Sequence, residues 1–138
     1  MPTANYYLLS QLLTPLNMLS RADENAIASL DLTEEADFKA IVAEHIGPVF
    51  IRWSELDRHR VRDALRYFLS TRRAPFGAIF AGQQESPIGV PVNPQLSFRW
   101  IWEVLFPGQP FEISASEEWL ERINFNAHAS CRHPDQYP

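Results

Sequence analysis

Residues 74–95 read APFGAIFAGQQESPIGVPVNPQ, and four prolines (Pro75, Pro87, Pro91, Pro94) and three glycines (Gly77, Gly82, Gly89) fall inside this one stretch. Proline fixes φ and removes a backbone donor, and glycine raises the entropic cost of order, so no long regular element can run through it. Loops of this length are uncommon in compact domains unless they serve a function or are disordered. A disordered segment is polar and charged. This one carries six large apolar residues (Phe76, Ile79, Phe80, Ile88, Val90, Val92) and a single charge, Glu85. The pattern predicts a long ordered loop whose apolar side chains pack on the domain or on a partner, with residues 82–86 as an exposed polar tip.

The flanking segments read as helices. Leu8, Leu9, Leu12, Leu13, Leu16 and Leu19 stand at helical spacing over residues 5–19, with a kink or a new start at Pro15 capped by Thr14. Ser20 opens a short helix to about Leu30. Thr33 is expected to cap the next, whose acidic first turn (Glu34, Glu35, Asp37) suits the positive end of a helix dipole. Gly47 and Pro48 are expected to stop it. Residues 49–53 read as a short strand or a connector. Ser54 and Asp57 form a weak capping box for a helix reaching about Thr71, with Val61, Ala64, Leu65, Phe68 and Leu69 as its buried stripe.

Residues 94–106 carry two periods. Apolar residues alternate as in a strand, yet Gln95, Arg99 and Glu103 share one helical face, Asn93 and Pro94 make a helix start, and Pro107-Gly108 a stop. The helical reading is preferred. Ser114 and Glu117 form a capping box for a last helix carrying Trp119, Leu120 and Ile123. The expected fold is therefore mainly α, one compact helical domain over residues 1–138 with a long ordered Pro/Gly loop and a loose C-terminal tail over 124–138. The alternative is an α+β fold with a small antiparallel hairpin around residues 96–114.

An apolar fraction of 46% and an aromatic fraction of 12% support a real core at this length. The net charge of −5 argues against nonspecific nucleic-acid binding. One cysteine, Cys131, excludes an intramolecular disulfide and fits a reducing compartment. No apolar run is long enough to span a membrane, and the N-terminus lacks the features of a secretion signal. These readings together describe a soluble, cytoplasmic chain.

Four constellations could carry chemistry or contacts. His128, Cys131 and His133 lie within six residues, but a structural zinc site wants four ligands, and a solvated tail explains them as well. Glu55, His59 and Asp63 follow at i, i+4 steps, a spacing that can orient a general base or merely decorate a helix surface. Arg58, Arg62 and Arg66 form a basic stripe, with Glu55 and Asp63 as candidate partners on the same helix. The stripe suits intramolecular pairing, and beyond that an acidic protein or phosphates. Trp100, Ile101, Trp102, Val104, Leu105 and Phe106 suit a central core element or, with the preceding loop, a docking surface. The Glu-x-x-His of di-iron bundles, His-Glu-x-x-His, Cys-x-x-Cys, Gly-x-Ser-x-Gly, the P-loop and the dinucleotide glycine fingerprint do not occur.

Arg21-Ala22-Asp23, Ala26-Ile27, Leu32-Thr33-Glu34-Glu35 and Gly47-Pro48 resemble the small all-helical subunit of protocatechuate-type extradiol dioxygenases, over roughly residues 5–50. That family's pattern ends in a Gly near a His-Pro pair. Here His45 precedes Gly47 and Pro48 follows it directly, so the end of the pattern differs. In that family the small subunit holds no metal and packs on a larger subunit that carries the iron and the catalytic base. The resemblance implies an accessory role and says nothing of residues 52–138.

The expected function is thus a non-catalytic interaction protein, an accessory or regulatory subunit of a larger protein partner, with no cofactor of its own. Its interface candidates are Phe76, Phe80, Ile88, Val90, Trp100 and Trp102, with Arg58, Arg62 and Arg66. Two alternatives stand beside it. One is a small metal-dependent enzyme using His59 or the His/Cys tail. The other is an immunity-type protein that plugs the site of a partner enzyme.

Overall fold

The computed structural model describes residues 3–71, 75–83, 85–113 and 120–122. The chain is mainly helical. Its order is β1 (Thr3–Asn5), α1 (Tyr7–Leu13), a 3₁₀ turn (Thr14–Met18), α2 (Arg21–Ala28), α3 (Glu35–Ile41), a π turn (Val42–Ile46), α4 (Gly47–Ile51), α5 (Glu55–Thr71), α6 (Phe76–Ala81), α7 (Pro94–Leu105) and β2 (Leu120–Arg122). The two short strands pair in parallel, Thr3 opposite Leu120 and Asn5 opposite Arg122. The hairpin alternative for residues 96–114 is overturned, because α7 is a helix from its first turn. Asn93 accepts from the Leu96 N–H, and Pro94 sits where a missing donor costs nothing. Gly108, at φ 77°, then turns the chain in a conformation that favours glycine.

Each proline reshapes the helix around it. Pro15 cannot donate to the carbonyl of Gln11, and the Thr14 hydroxyl donates to that carbonyl at 2.7 Å instead. The chain continues as a 3₁₀ turn, so Thr14 repairs a carbonyl and is not the cap of a new α-helix. Pro48 would leave the Glu44 carbonyl without its donor and crowd it in a regular helix. The backbone responds by widening into the π turn, in which the Gly47 N–H reaches back to the Val42 carbonyl. Gly47 and Pro48 therefore do not stop the helix; Pro48 sits at the start of α4. Residues 49–51 are its last turn, not a strand or a connector.

Two further caps form as read from the sequence. Ser20 accepts from the Asp23 N–H and Ser54 from the Asp57 N–H, each at 3.1 Å. Thr33 does not cap α3. Its N–H and hydroxyl both donate to the Asp31 carboxylate, which they hold below the usual carboxylate range, and α3 starts from Glu34 without a side-chain cap. Of the last expected helix, residues 114–119 and 123 lie outside the described residues, and 120–122 form β2 rather than helix.

α5 is the central element. It packs on β1, α1 and α7, and all five residues of its expected stripe are buried. α7 in turn lies against α3, α6 and the π turn, and the rings of Phe76 and Phe80 meet Phe98 at 4.9 and 5.1 Å. The single lysine, Lys39, ties α3 to α7 by bridging Glu35 at 2.6 Å and Glu103 at 2.8 Å, contacts that raise its pKa.

At the N-terminal end, Tyr6 is buried and its hydroxyl donates to the Pro75 carbonyl at 2.5 Å, closing the chain's start onto the start of α6. Burial disfavours the phenolate and pushes the Tyr6 pKa up to about 12. Between the ordinary tyrosine value near 10 and about 12, the unfolded chain releases this proton while the folded one keeps it, so stability falls as pH rises through that window. Denaturant melts across that range should show the decline, and Tyr6→Phe should flatten it. An unchanged slope in the variant would assign the effect to other groups.

Candidate functional site

The structure uses most of the expected interface residues inside the molecule. Phe76, Phe80, Ile88, Trp100 and Trp102 are all buried in the chain's own core. Replacing Phe80 or Ile88 would therefore probe the core. The expected polar tip is also partly internal: Gln83 is buried, accepting from Asn17 at 2.7 Å and donating to the Ser10 carbonyl at 3.4 Å. Gln84 lies outside the described residues.

The arginine stripe turns inward too. Arg58 donates to the Ile51 carbonyl at 2.6 Å and the Trp53 carbonyl at 3.0 Å, covering the C-terminal end of α4, where a cation suits the helix dipole. Arg62 donates from Nε and Nη2 to the Gln109 side-chain oxygen and stands over the Trp102 ring, 5.8 Å from its centre. Arg66 donates to the Glu112 carbonyl at 2.9 Å. The three arginines thus stitch α5 to α4 and to residues 109–112. Of the partners expected on the same helix, Asp63 stands 3.9 Å from Arg62, whereas the carbonyls met by Arg58 and Arg66 and the Gln109 side chain met by Arg62 have no sequence signal. His59 points outward, 3.3 Å from Asp63. His128, Cys131 and His133 lie outside the described residues.

What remains open on the loop is its second half. Val90 and Val92 are 53% and 93% exposed, so of the two surfaces expected for the loop's apolar side chains, the domain and a partner, the domain does not cover these two. They edge a groove of about 400 Å³ between the turn before α3 and the first turns of α7. Its walls are Leu32 and Thr33 on one side, Ile88, Val90, Pro91, Val92 and Asn93 on another, and Leu96, Ser97 and Trp100 on α7. None of these lining residues is charged. Gly89, at φ 56°, turns the chain into the groove wall in a conformation that favours glycine. Asn93 is already committed to capping α7, so the polar groups left facing the groove are few. A second hollow of about 440 Å³ lies across Asn93 and Leu96 and is more polar, with Arg99 and Glu112 among its lining residues.

Chemically, the first hollow is a receptor for apolar side chains. It shows no nucleophile paired with a base and no convergent titratable groups among the described residues that line it. Asp31 and Glu34 are the exposed sequence neighbours of the lining residues Leu32 and Thr33, and the hydrogen bonds from Thr33 lower the Asp31 pKa. Compared with protein-family models, curated proteins and solved structures, the chain matches none.

Proposed function

We propose that this chain is a non-catalytic accessory protein that docks on a larger protein partner through the groove lined by Val90, Val92, Leu32, Leu96 and Trp100. The observation that carries the reading is the exposure of Val90 and Val92 at the mouth of a charge-free hollow. Fully burying a valine is worth about 1.5–3 kcal/mol relative to leaving it in water, so two valines and the neighbouring leucines offer a partner a substantial apolar gain. The occupant that fits is an apolar knob of the partner, two or three side chains wide. The exposed acidic residues Asp31 and Glu34, next in sequence to the lining residues Leu32 and Thr33, favour lysine or arginine beside that knob. An accessory role of this kind is also what the resemblance of residues 5–50 implies.

A photo-crosslinking amino acid placed at position 92 tests the reading in the source cells. The expected result is one discrete adduct with a larger protein, not formed when the same reporter stands at Met18, which is 85% exposed elsewhere on the surface. Val92→Asp should then weaken binding of the purified adduct partner by about tenfold or more, while the melting temperature of the free chain stays nearly constant. Absence of an adduct at 92, or the same adducts at 92 and 18, would reject the groove as a docking site. An adduct of two copies of this chain would replace the accessory reading with self-association.

A further inference from the structure

We infer that Asp23, Glu44 and His45 form a site for a divalent transition-metal ion that clasps α2 to the π turn. Their nearest ligand atoms all lie within 4.8 Å of one another, and the His45 Nε2 stands 4.0 Å from Glu44. Two ligands bound to one zinc-like ion at tetrahedral angles stand about 3.4 Å apart, given metal–ligand distances near 2.1 Å. Closing the Glu44–His45 gap needs only a small rotation of Glu44, whose side chain is exposed and makes no other ion pair among the described residues, and the gaps to Asp23, at most 4.8 Å, need its carboxylate to rotate as well.

The π turn is what brings two consecutive residues toward one ion. In a regular helix, neighbours in sequence face different ways. The wider π turn brings the Glu44 and His45 side chains closer in direction, and such turns recur at functional sites. Asp23 comes from a different element, the first turn of α2. Its backbone N–H is spent on the Ser20 cap, and its carboxylate remains available.

His45 supplies the nitrogen ligand. Its side chain is only 12% exposed, and its Nε2 faces the Glu44 carboxylate. An imidazole held in place by the surrounding fold offers a metal ion a ligand that loses little freedom on binding. Two carboxylate oxygens and one imidazole nitrogen suit zinc, cobalt or manganese, with water completing the coordination. The role that follows is mechanical. α2 buries one side chain, Ile27, against the rest of the fold, so an ion joining Asp23 to the π turn would add a strong tie where packing supplies little.

Titration of the purified chain with cobalt(II) alone, followed by visible absorption, tests the site, because the tail residues His128, Cys131 and His133 are the obvious competitors. The expected result is one equivalent of cobalt bound without a thiolate charge-transfer band. It should persist when the tail carries His128→Ala, Cys131→Ser and His133→Ala together. Asp23→Asn and His45→Gln should each weaken it by about tenfold or more, as loss of one ligand from a three-ligand site does. Circular dichroism shows that each variant is folded, and Asp23→Asn, a surface change, keeps the test usable if His45→Gln unfolds. Hydrogen exchange should slow by at least about tenfold in the α2 amides when cobalt is added. Cobalt binding that disappears with the tail substitutions, or that survives both site substitutions, overturns the site. Binding that leaves α2 exchange unchanged overturns the clasp.

Discussion

Replacing Phe68 with alanine should lower the unfolding free energy by about 3–5 kcal/mol, the range for deleting a fully buried aromatic side chain. Phe68 is 1% exposed and sits in the middle of the α5 stripe, edge-on to Tyr6 at 5.7 Å and to Tyr67 at 5.2 Å. Its neighbours come from β1's end, α1 and α5 itself, so the cavity is walled by elements that cannot all collapse inward together. A loss of that size is a large share of the roughly 5–15 kcal/mol that holds a domain folded. Guanidinium melts should show a lower midpoint with an unchanged slope. Arg62→Ala, at the half-buried flank of the same helix, should cost less than about 1 kcal/mol, because its partner Gln109 is exposed and can return to water. Equal effects from the two substitutions would mean that the burial pattern of α5 is misassigned.

Trp102→Ala should be comparably damaging, at about 3–5 kcal/mol. The indole is buried, packs on Phe106 at 4.5 Å and on Phe111 at 6.5 Å, and its Nε1–H donates to the Gln109 carbonyl at 2.7 Å. It thus carries two jobs: filling the space beneath α7, and holding residues 109–111 against the domain. Trp102→Phe separates them. The smaller ring keeps most of the packing and loses the hydrogen bond, a net change of about 0.5–1.5 kcal/mol for that bond plus a modest volume term. Amide exchange near Gln109 and Phe111 should accelerate in both variants, and in Trp102→Phe it should accelerate more than in the core helix α5. Uniform acceleration across α5 and residues 109–111 would show that the indole has no special hold on that segment.

The periodic helices were legible from the sequence because their apolar faces and their caps agree. Ser20, Ser54 and Asn93 each cap the helix they precede, and α5 buries the stripe that its spacing marks out. The failures cluster where one residue has two compatible roles. Pro48 can end a helix or begin one, and the backbone resolved the choice by a π turn, which no apolar period announces. Thr33 could cap α3, but Asp31 two residues earlier offered its hydroxyl a closer partner. The arginine stripe and its neighbour Asp63 were visible, whereas the partners that tie the stripe to other segments were not, because backbone carbonyls at a helix end and groups on a distant segment carry no sequence signature. The groove was half legible. The loop's apolar character pointed to a contact surface, but only the fold shows that Phe76, Phe80 and Ile88 are spent internally while Val90 and Val92 are left outside. The trio of Asp23, Glu44 and His45 was not legible at all, since Asp23 and the other two lie on separate elements that only tertiary packing brings together.

Synthesis delivers α1 early and its cover late. Leu8, Leu9, Leu12 and Leu13 emerge near the start of the chain, yet they are buried against α5, which ends at Thr71, and against α6 beyond it. At about 5–20 residues per second, the ribosome takes roughly 3–12 s to move from the end of α1 to the end of α5. Throughout that interval a leucine-rich segment has no surface to fold onto. Such a segment is a ready client for chaperones and a point of entry for aggregation, whatever the stability of the finished domain. The vulnerable moment of this protein's life is therefore set by the order of its parts along the chain, and a substitution in α5 that slows its docking would show itself first as lost yield.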